Sequence, residues 1–139
     1  MAQVPAPEGY TETGYLRVAA QTARGAIPIV GAAVSVSGEV ENDIVLYANT
    51  VTNISGETED LSLPAPARAL SQTPGNPRPF AVYTVTARAE GYYPMIYESV
   101  PVFSGIKSIV NVAFLPVLEG DTAPAPRVIS GGETRGGER

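Results

Sequence analysis

The sequence predicts an all-β protein, a seven-stranded antiparallel β-sandwich with disordered termini. Three observations indicate this fold class. Short runs rich in Val, Ile, Thr and Tyr recur at intervals of roughly 8–15 residues, as in a sandwich. Within these runs apolar and polar residues alternate, which is the period of a half-buried strand. The 14 Gly and 13 Pro punctuate the runs, and no long window has apolar residues at helical spacing. A closed barrel is the alternative architecture.

The first three strands are predicted in the N-terminal half. Residues 15–22 (YLRVAAQT) alternate, and the apolar positions from Leu16 to Ala20 share one face. Residues 33–38 (AVSVSG) follow a loop that contains Gly and Pro, and they alternate Val with Ser. Residues 44–52 (IVLYANTVT) are rich in the β-branched and aromatic side chains that favour strands. The acidic run EVEND is predicted to turn the chain between the second and third strands.

Four further strands follow. Residues 59–63 (EDLSL) form the fourth, after a turn NISGET whose Asn and Gly suit special backbone angles. Residues 80–90 (FAVYTVTARAE) form the fifth, with Tyr, Val and Ala on one face. Residues 95–103 (MIYESVPVF) form the sixth, and Pro101 is expected to interrupt it because proline donates no ladder hydrogen bond. Residues 108–117 (SIVNVAFLPV) close the set.

Three segments are predicted along the chain. Residues 1–13 form a flexible lead-in, residues 14–118 the sandwich, and residues 119–139, which are rich in Gly, Pro and charge, a disordered tail. The stretch 64–80 (PAPARALSQTPGNPRPF) holds five of the 13 prolines. We interpret it as a crossover between the two sheets and, secondarily, as part of a binding surface, because function in sandwiches tends to sit on loops.

Charge and cysteine content exclude several classes of protein. The net charge is −5, and the single Lys and eight Arg are scattered, so the basic patch of a nucleic-acid binder is absent. Without Cys, disulfides and thiol chemistry are excluded. The N-terminus lacks the basic and apolar regions of a signal peptide, and no apolar run is long enough to span a membrane. We therefore expect no transmembrane segment, and a location in the cytoplasm or at the spore or cell wall by an unrecognised route.

Histidine is also absent, which removes the usual general base near neutral pH and leaves carboxylate chemistry. Two acidic groups could supply the paired carboxylates of a glycosidase or, together, a Ca²⁺ site. These groups are Glu39, Glu41 and Asp43, and Glu57, Glu59 and Asp60. The alternative is that they decorate solvated turns. We predict no catalytic residue, no metal ligand and no cofactor, while Ca²⁺ binding by the acidic loops stays open.

Aromatic residues supply the candidate binding surface. Tyr92 and Tyr93 are adjacent in a turn, so one should pack inward and the other point outward, where it could stack on a sugar or a peptide. Arg78 and Phe80 could join that surface if the proline-rich stretch folds over the same end. The predicted binding residues are therefore Arg78, Phe80, Tyr92 and Tyr93, and the alternative is that these tyrosines are ordinary core and surface residues.

Four motifs in order resemble those of carboxypeptidase regulatory-like domains. The motifs are GAIPIVGAAVSVSG, VTNISGET, YTVTARAEGYYP and VPVFSGIKSIVNVAFLP. The resemblance covers about residues 14–117 and implies a Greek-key sandwich of the transthyretin-like (prealbumin-like) kind, acting as a non-catalytic accessory or scaffold. Gly31 is expected to permit a close backbone approach, and Gly56 and Gly91 to adopt positive φ.

The same sandwich carries enzymes in other families, and the resemblance implies which residues those enzymes need. Hydroxyisourate hydrolases depend on histidines and a C-terminal Tyr-Arg-Gly-Ser, and intradiol dioxygenases hold iron with two Tyr and two His. This chain has no His and ends in GGER. We therefore expect a protein that is not an enzyme.

A narrower resemblance concerns LPAPARALSQTPGNPRPFAVYTVTARAEGYYP with VPVFSGI. These runs are similar to the version of the domain in clostridial spore cortex-lytic and peptidoglycan-associated proteins. The predicted function is a bacterial binding or assembly module near cell-wall or spore peptidoglycan machinery. Its partner would be a protein or a cell-wall polysaccharide, bound by surface complementarity or edge-strand pairing. The alternative is a regulatory subunit or pro-domain-like regulator of a wall hydrolase.

Overall fold

Two packed β-sheets make up the described part of the protein. The computed structural model describes residues 6–7, 9–66, 80–120 and 125–130. Its strands are β1 (Glu12–Thr22), β2 (Ala33–Val40), β3 (Asp43–Val51), β4 (Leu61–Ala65), β5 (Ala81–Arg88), β6 (Met95–Val102), β7 (Lys107–Phe114) and β8 (Arg127–Ser130). The small sheet has the order β4-β1-β7 and the large sheet the order β3-β2-β5-β6-β8. The prediction of an all-β sandwich is confirmed.

Alternate residues of the strands fill the space between the sheets. The inward faces predicted for β1, β2 and β5 are confirmed, since Leu16, Val34 and Val85 are fully buried. The other large side chains with essentially no exposure are Val18, Val36, Leu63, Val102, Val112 and Phe114. Each such side chain stabilises the fold by about 1.5–3 kcal/mol through removal from water. Among the described residues, no helix is long and apolar enough to cross a membrane.

Strand direction departs from the prediction at two pairs. β1 and β7 are parallel, with Tyr15 opposite Lys107 and Thr22 opposite Phe114. β6 and β8 are parallel as well. The expectation of a wholly antiparallel sandwich is therefore wrong at these pairs. The physical reason is that the chain leaves the large sheet after β6 and enters the small one as β7, instead of turning back beside its neighbour.

Both predicted terminal segments contain strand residues. β8 lies inside residues 119–139, which were predicted to be disordered, and pairs with the first half of β6. Four residues are too few to show a period, which is why the sequence pattern misses them. β1 begins at Glu12, inside the predicted lead-in 1–13, because its first residues pair with the end of β4.

Pro101 does not end β6, contrary to the prediction. The strand continues to Val102, and Pro101 lies opposite Val82 of β5. β8 stops opposite Glu98, so no described strand pairs with the outer side of β6 at the proline. A proline that needs no partner on that side costs the ladder nothing.

The predicted crossover between the sheets is evident from the strands on either side of it. β4 belongs to the small sheet and β5 to the large sheet, so the chain changes sheets between them. Residues 67–79, which contain Arg78 and most of the proline-rich stretch, lie outside the described residues.

Two buried threonines hold the connection from β3 to β4, which also changes sheets. The Thr52 hydroxyl accepts a hydrogen bond from the amide of Ala32 at 2.9 Å and donates to the carbonyl of Ile29 at 2.6 Å. The Thr58 hydroxyl accepts from the amide of Val18 at 3.0 Å. Both threonines are 3% exposed, so these bonds satisfy groups that water cannot reach. The connection is thereby fixed to β1 and to the start of β2.

Gly56 completes this connection. Its φ is +79°, and a Cβ at this position would lie 2.5 Å from the carbonyl oxygen of Ala20 and 3.0 Å from Cβ of Pro28. The positive φ predicted for Gly56 and Gly91 is confirmed. The close approach predicted at Gly31 is wrong, because nothing lies within 4 Å of its added Cβ, although its φ is also +79°.

Gly31 and Gly56 form a matched pair for a stability test. Gly31→Ala should lower the free energy of unfolding by about 1 kcal/mol, because an L-residue is strained at positive φ. Gly56→Ala carries the same strain and adds a backbone clash, so it should lower the free energy by about 3 kcal/mol. Urea denaturation of both variants measures the difference. Equal losses would show that the contact with Ala20 does not constrain the turn.

Candidate binding groove at two β-bulges

The binding residues predicted from the sequence do not form one surface. Phe80 immediately precedes β5, and its ring lies 5.2 Å from that of Phe103. Tyr92 and Tyr93 follow the other end of β5. The eight-residue strand separates them by about 25 Å at the usual rise per residue. Arg78 lies outside the described residues.

Tyr92 and Tyr93 both pack on the protein. Tyr93 is 5% exposed, its hydroxyl accepts a hydrogen bond from the amide of Leu118 at 3.4 Å, and the guanidinium of Arg127 lies over its ring. Tyr92 is half-buried, with its ring 5.7 Å from that of Phe114. The expectation that one of the two points outward is therefore met only in part, by Tyr92. A binding role for it stays a prediction.

The two acidic groups lie at opposite ends of β3. The hairpin from β2 to β3 turns through Glu41 and Asn42, whose positive φ values of 53° and 71° match a two-residue type I′ turn. The second group begins beyond Val51. Nine residues of strand separate the groups by about 30 Å. The hypothesis of a Ca²⁺ site built jointly from both loops is therefore wrong.

The second acidic group is engaged with cations of the small sheet. Asp60 Oδ1 accepts a hydrogen bond from Arg17 Nε at 2.8 Å, and Asp60 Oδ2 lies 3.7 Å from Lys107 Nζ. Glu57 Oε1 lies 3.4 Å from Arg17 Nη1. In the part of the chain that the structure describes, no group of three or more Asp, Glu, His or Cys could hold a metal ion. These carboxylates form a solvated ion cluster on the outside of the sandwich.

Two β-bulges occur at the same level of the large sheet. One lies between β2 and β3, where the pairing shifts between Val36 and Ser37. The other lies between β5 and β6, where Thr84 faces an extra residue of β6 and Ser99 adopts a φ of +59°. Ser37 and Thr84 are themselves cross-strand partners. Bulges re-aim side chains and often adjoin functional sites, so this level of the sheet is the candidate site.

Two adjoining cavities lie at the bulged region, and we call them together the bulge groove. One end, the tyrosine end, has a volume of about 220 Å³ and is lined by Pro7, Tyr10 and Tyr47. The other, the hydroxyl end, has a volume of about 260 Å³ and is lined by Ser37, Ile44, Thr84, Glu98 and Ser99. Both ends share the lining residues Gly38, Glu39, Val82 and Tyr83. The two cavities therefore adjoin at these four residues.

Because Gly38 has no side chain, the rings of Tyr47 and Tyr83 can lie close to its backbone. A Cβ at this position would lie 3.0 Å from Cδ1 of Tyr83 and 3.1 Å from Cε2 of Tyr47, closer than most real contacts of a Cβ. The rings of Tyr47 and Tyr83 meet edge to face, with centroids 5.3 Å apart. This arrangement is a favourable one for two aromatic quadrupoles. Glycine in this strand thus marks a close approach of aromatic side chains.

Tyr83 and Tyr47 of the groove remain neutral over the physiological pH range. Burial, and then the nearby Tyr47 and Tyr10, raises the pKa of the Tyr83 hydroxyl far above its ordinary value of 10.0. Burial, and then Tyr10, also raises the pKa of Tyr47. The Tyr83 hydroxyl donates a hydrogen bond to the carbonyl oxygen of Pro64, so it holds β4 against β5. Tyr10 and Tyr47 are half-buried, so a ligand in the groove could contact the exposed part of each ring.

The bulge groove combines aromatic rings with hydroxyl and carboxylate groups, and the described lining includes no Lys or Arg. Such a surface suits a ligand with apolar ring faces and many hydroxyl groups. Sequence patterns do not reveal this surface, because its tyrosines are distant in the chain and the bulges depend on strand pairing. The one available signal was Gly38, a glycine that follows a clear Val-Ser alternation.

Comparison with known proteins supports the fold alone. No protein-family model and no curated protein matches the chain. Among solved structures, the TIE protein of Bacillus anthracis is similar over 76% of this chain and 17% of its own, with 18% identity and a TM-score of 0.50. Catechol 1,2-dioxygenase of Acinetobacter radioresistens is similar over 86% and 57%, with 15% identity and a TM-score of 0.54. A minor pilin of Streptococcus agalactiae is similar over 81% and 48%, with 14% identity and a TM-score of 0.46.

The chain thus spans less than two thirds of each of these proteins. The protein is an all-β sandwich of two sheets.

The raised pKa of Tyr83 predicts a loss of stability in alkali. Because the folded-state pKa lies above 10.0, the stability from the neutral hydroxyl is complete below pH 10 and is lost as the pH rises toward the folded-state value. Tyr83→Phe should cost about 1 kcal/mol at pH 7 through the lost hydrogen bond, and should flatten the fall above pH 10. Burial also raises the pKa values of Tyr47 and Tyr97. Part of the alkaline loss of stability should therefore remain in Tyr83→Phe.

Melting temperatures measured from pH 8 to pH 11.5 check this prediction. Tyr15→Phe is the matched control, because Tyr15 is 37% exposed on the other sheet. An alkaline slope that is the same in wild type and Tyr83→Phe would contradict the prediction.

Proposed function

We propose that the protein is a non-catalytic binding module that holds a segment of neutral polysaccharide in the bulge groove. The observation that carries the proposal is that the cavity lined by Tyr10 and Tyr47 and the cavity lined by Glu98 share Glu39. The cell-wall or spore setting rests on the sequence resemblance.

The two kinds of lining group match the two kinds of surface on a sugar. The C–H face of a pyranose ring is apolar, and an aromatic ring offers it a large, rigid contact. The rim of the sugar carries hydroxyl groups, which can donate to the carboxylates of Glu39 and Glu98 and exchange hydrogen bonds with the hydroxyls of Ser37, Thr84 and Ser99. The bulge groove therefore offers aromatic rings at one end and polar groups at the other.

Charge favours a neutral ligand over an anionic one. The two glutamates would repel uronic acids and phosphates, and the chain as a whole carries a net charge of −5. N-acetylglucosamine, one of the two sugars of peptidoglycan glycan chains, is a neutral amino sugar and fits this constraint. The hydroxyls and carboxylates of the groove also favour a sugar over the protein surface that a hydrolase regulator, the alternative function, would require.

Calorimetric titration with a soluble N-acetylglucosamine oligosaccharide tests the proposal, together with co-sedimentation on insoluble peptidoglycan. Tyr47→Ala should weaken binding about tenfold, because a stacked ring is worth about 1 kcal/mol or more. Tyr15→Ala is the control, since Tyr15 lies on the small sheet. Glu98→Gln should also weaken binding, whereas Glu90→Gln removes the same charge near the other end of β5 and should not.

Two outcomes would overturn the proposal. Equal affinity in wild type, Tyr47→Ala and Glu98→Gln would show that the groove does not hold the sugar. Hydrolysis of the oligosaccharide by wild type and its loss in Glu98→Gln would show that the module is catalytic. Circular dichroism of each variant separates loss of binding from loss of fold.

A further inference from the structure

The outer edge of β6 is occupied by a strand from the same chain. β8 pairs with it in parallel from Met95 opposite Arg127 to Glu98 opposite Ser130. We propose that this edge is a recognition site for an extended peptide of another protein, with a cationic residue followed two positions later by an aliphatic one. β8 is the ligand that the chain itself supplies, and it shows which chemistry the edge accepts.

The first determinant is a cation site. The guanidinium carbon of Arg127 lies 4.3 Å from the centroid of the Tyr93 ring, within the range of a cation–π interaction. The Arg127 amide also donates to the carbonyl oxygen of Pro94 at 2.8 Å, which sets the register. Tyr93 is 5% exposed with Arg127 over its ring, and its hydroxyl accepts a hydrogen bond from the amide of Leu118, which lies outside β8. This bond gives the ring a contact that does not come from β8.

The second determinant is an apolar position two residues later. Ile129 is partly buried against the core, opposite Tyr97 of β6. Val128, between the two, is 56% exposed. Side chains of a strand alternate between faces, so the edge recognises the first and third residues of the peptide and leaves the second to solvent. This spacing defines the motif cation-x-aliphatic.

Among the described residues, the edge of β6 is longer than the strand paired with it. The described pairing of β8 ends opposite Glu98, whereas β6 continues to Val102. A cavity of about 270 Å³ opens next to this part of β6, lined by Val100 and Pro101 of β6 and by Ile109 of β7. A longer peptide that followed β8's path could place an apolar side chain there. The net charge of −5 also favours a cationic partner.

The chain's own β8 should compete with any such partner. A strand tethered to its site acts at an effective concentration in the millimolar range, so it excludes a peptide present at micromolar concentration. Binding in trans should appear only when β8 is released. The edge thus combines a recognition surface with a built-in competitor.

The test uses the full chain and a labelled synthetic peptide with the sequence of residues 125–130, Ala-Pro-Arg-Val-Ile-Ser. The double substitution Arg127→Ala with Ile129→Ser removes both determinants from β8 and should release it. The released variant should bind the peptide at least about tenfold more tightly than wild type, because the edge of β6 is free in a larger fraction of its molecules. A control peptide, Ala-Pro-Ala-Val-Ser-Ser, should bind neither protein.

The cation site is tested in the same variant background. Tyr93→Phe keeps the ring and should preserve peptide binding, whereas Tyr93→Leu should abolish it. Hydrogen exchange at the amides of β6 reports whether β8 has been released. Released β8 without peptide binding, or equal binding of the control peptide, would overturn the proposal.

A second design keeps the proposal falsifiable if the double variant does not fold. The chain has no cysteine, so Ile96→Cys with Val128→Cys introduces a single pair at opposed positions of β6 and β8. Oxidation should lock β8 in place and abolish the residual peptide binding of the reduced form, and unchanged binding after oxidation would overturn the proposal. Wild type could instead form dimers by exchanging β8, which sedimentation of mixed tagged copies would detect. That result would overturn the proposal of a foreign partner, because the edge would then bind a second copy of this chain.

Discussion

The architecture depends on hydroxyl hydrogen bonds buried where the chain passes from β3 to β4. Thr52 and Thr58 are shielded from water, so each hydroxyl must find its partners inside the protein, and each joins two separate backbone segments. Gly56 lets the turn between them lie against β1. This connection fixes where β4 begins and therefore its register on β1. Since β1 also pairs with β7, the whole small sheet follows from it.

β6 is the element on which both proposed binding surfaces meet. Its bulge at Ser99 places hydroxyl and carboxylate groups at one end of the groove, and its outer edge carries β8. The positive φ of Ser99 is an unfavourable conformation, and it persists because regular pairing with β5 on both sides of the bulge holds it in place. Among the described residues, the pairing of β8 with β6 ends at Glu98, directly beside this bulge. A single deformation of one strand thus shapes two distinct surfaces.

The sequence was sufficient for the parts of the structure that depend on local alternation. It predicted the inward faces of β1, β2 and β5 and the turn at Gly56, because burial and turn geometry act on neighbouring residues. Strand direction was missed, since side-chain alternation is the same in parallel and antiparallel pairs. The bulge groove was missed because it joins Tyr10, Tyr47 and Glu98 through long-range pairing. The aromatic residues that the sequence did single out lie at opposite ends of β5.

The parallel pairing of β1 and β7 has a mechanical consequence. Eight residue pairs link the first strand of the sandwich to the last strand of the small sheet, from Tyr15 with Lys107 to Thr22 with Phe114. Drawing the start of β1 and the end of β7 apart slides the two strands along their length. The hydrogen bonds of the ladder then bear the load together, in shear, instead of parting one after another as in a peeled hairpin. A module of this geometry resists tension along the line between its sheet termini.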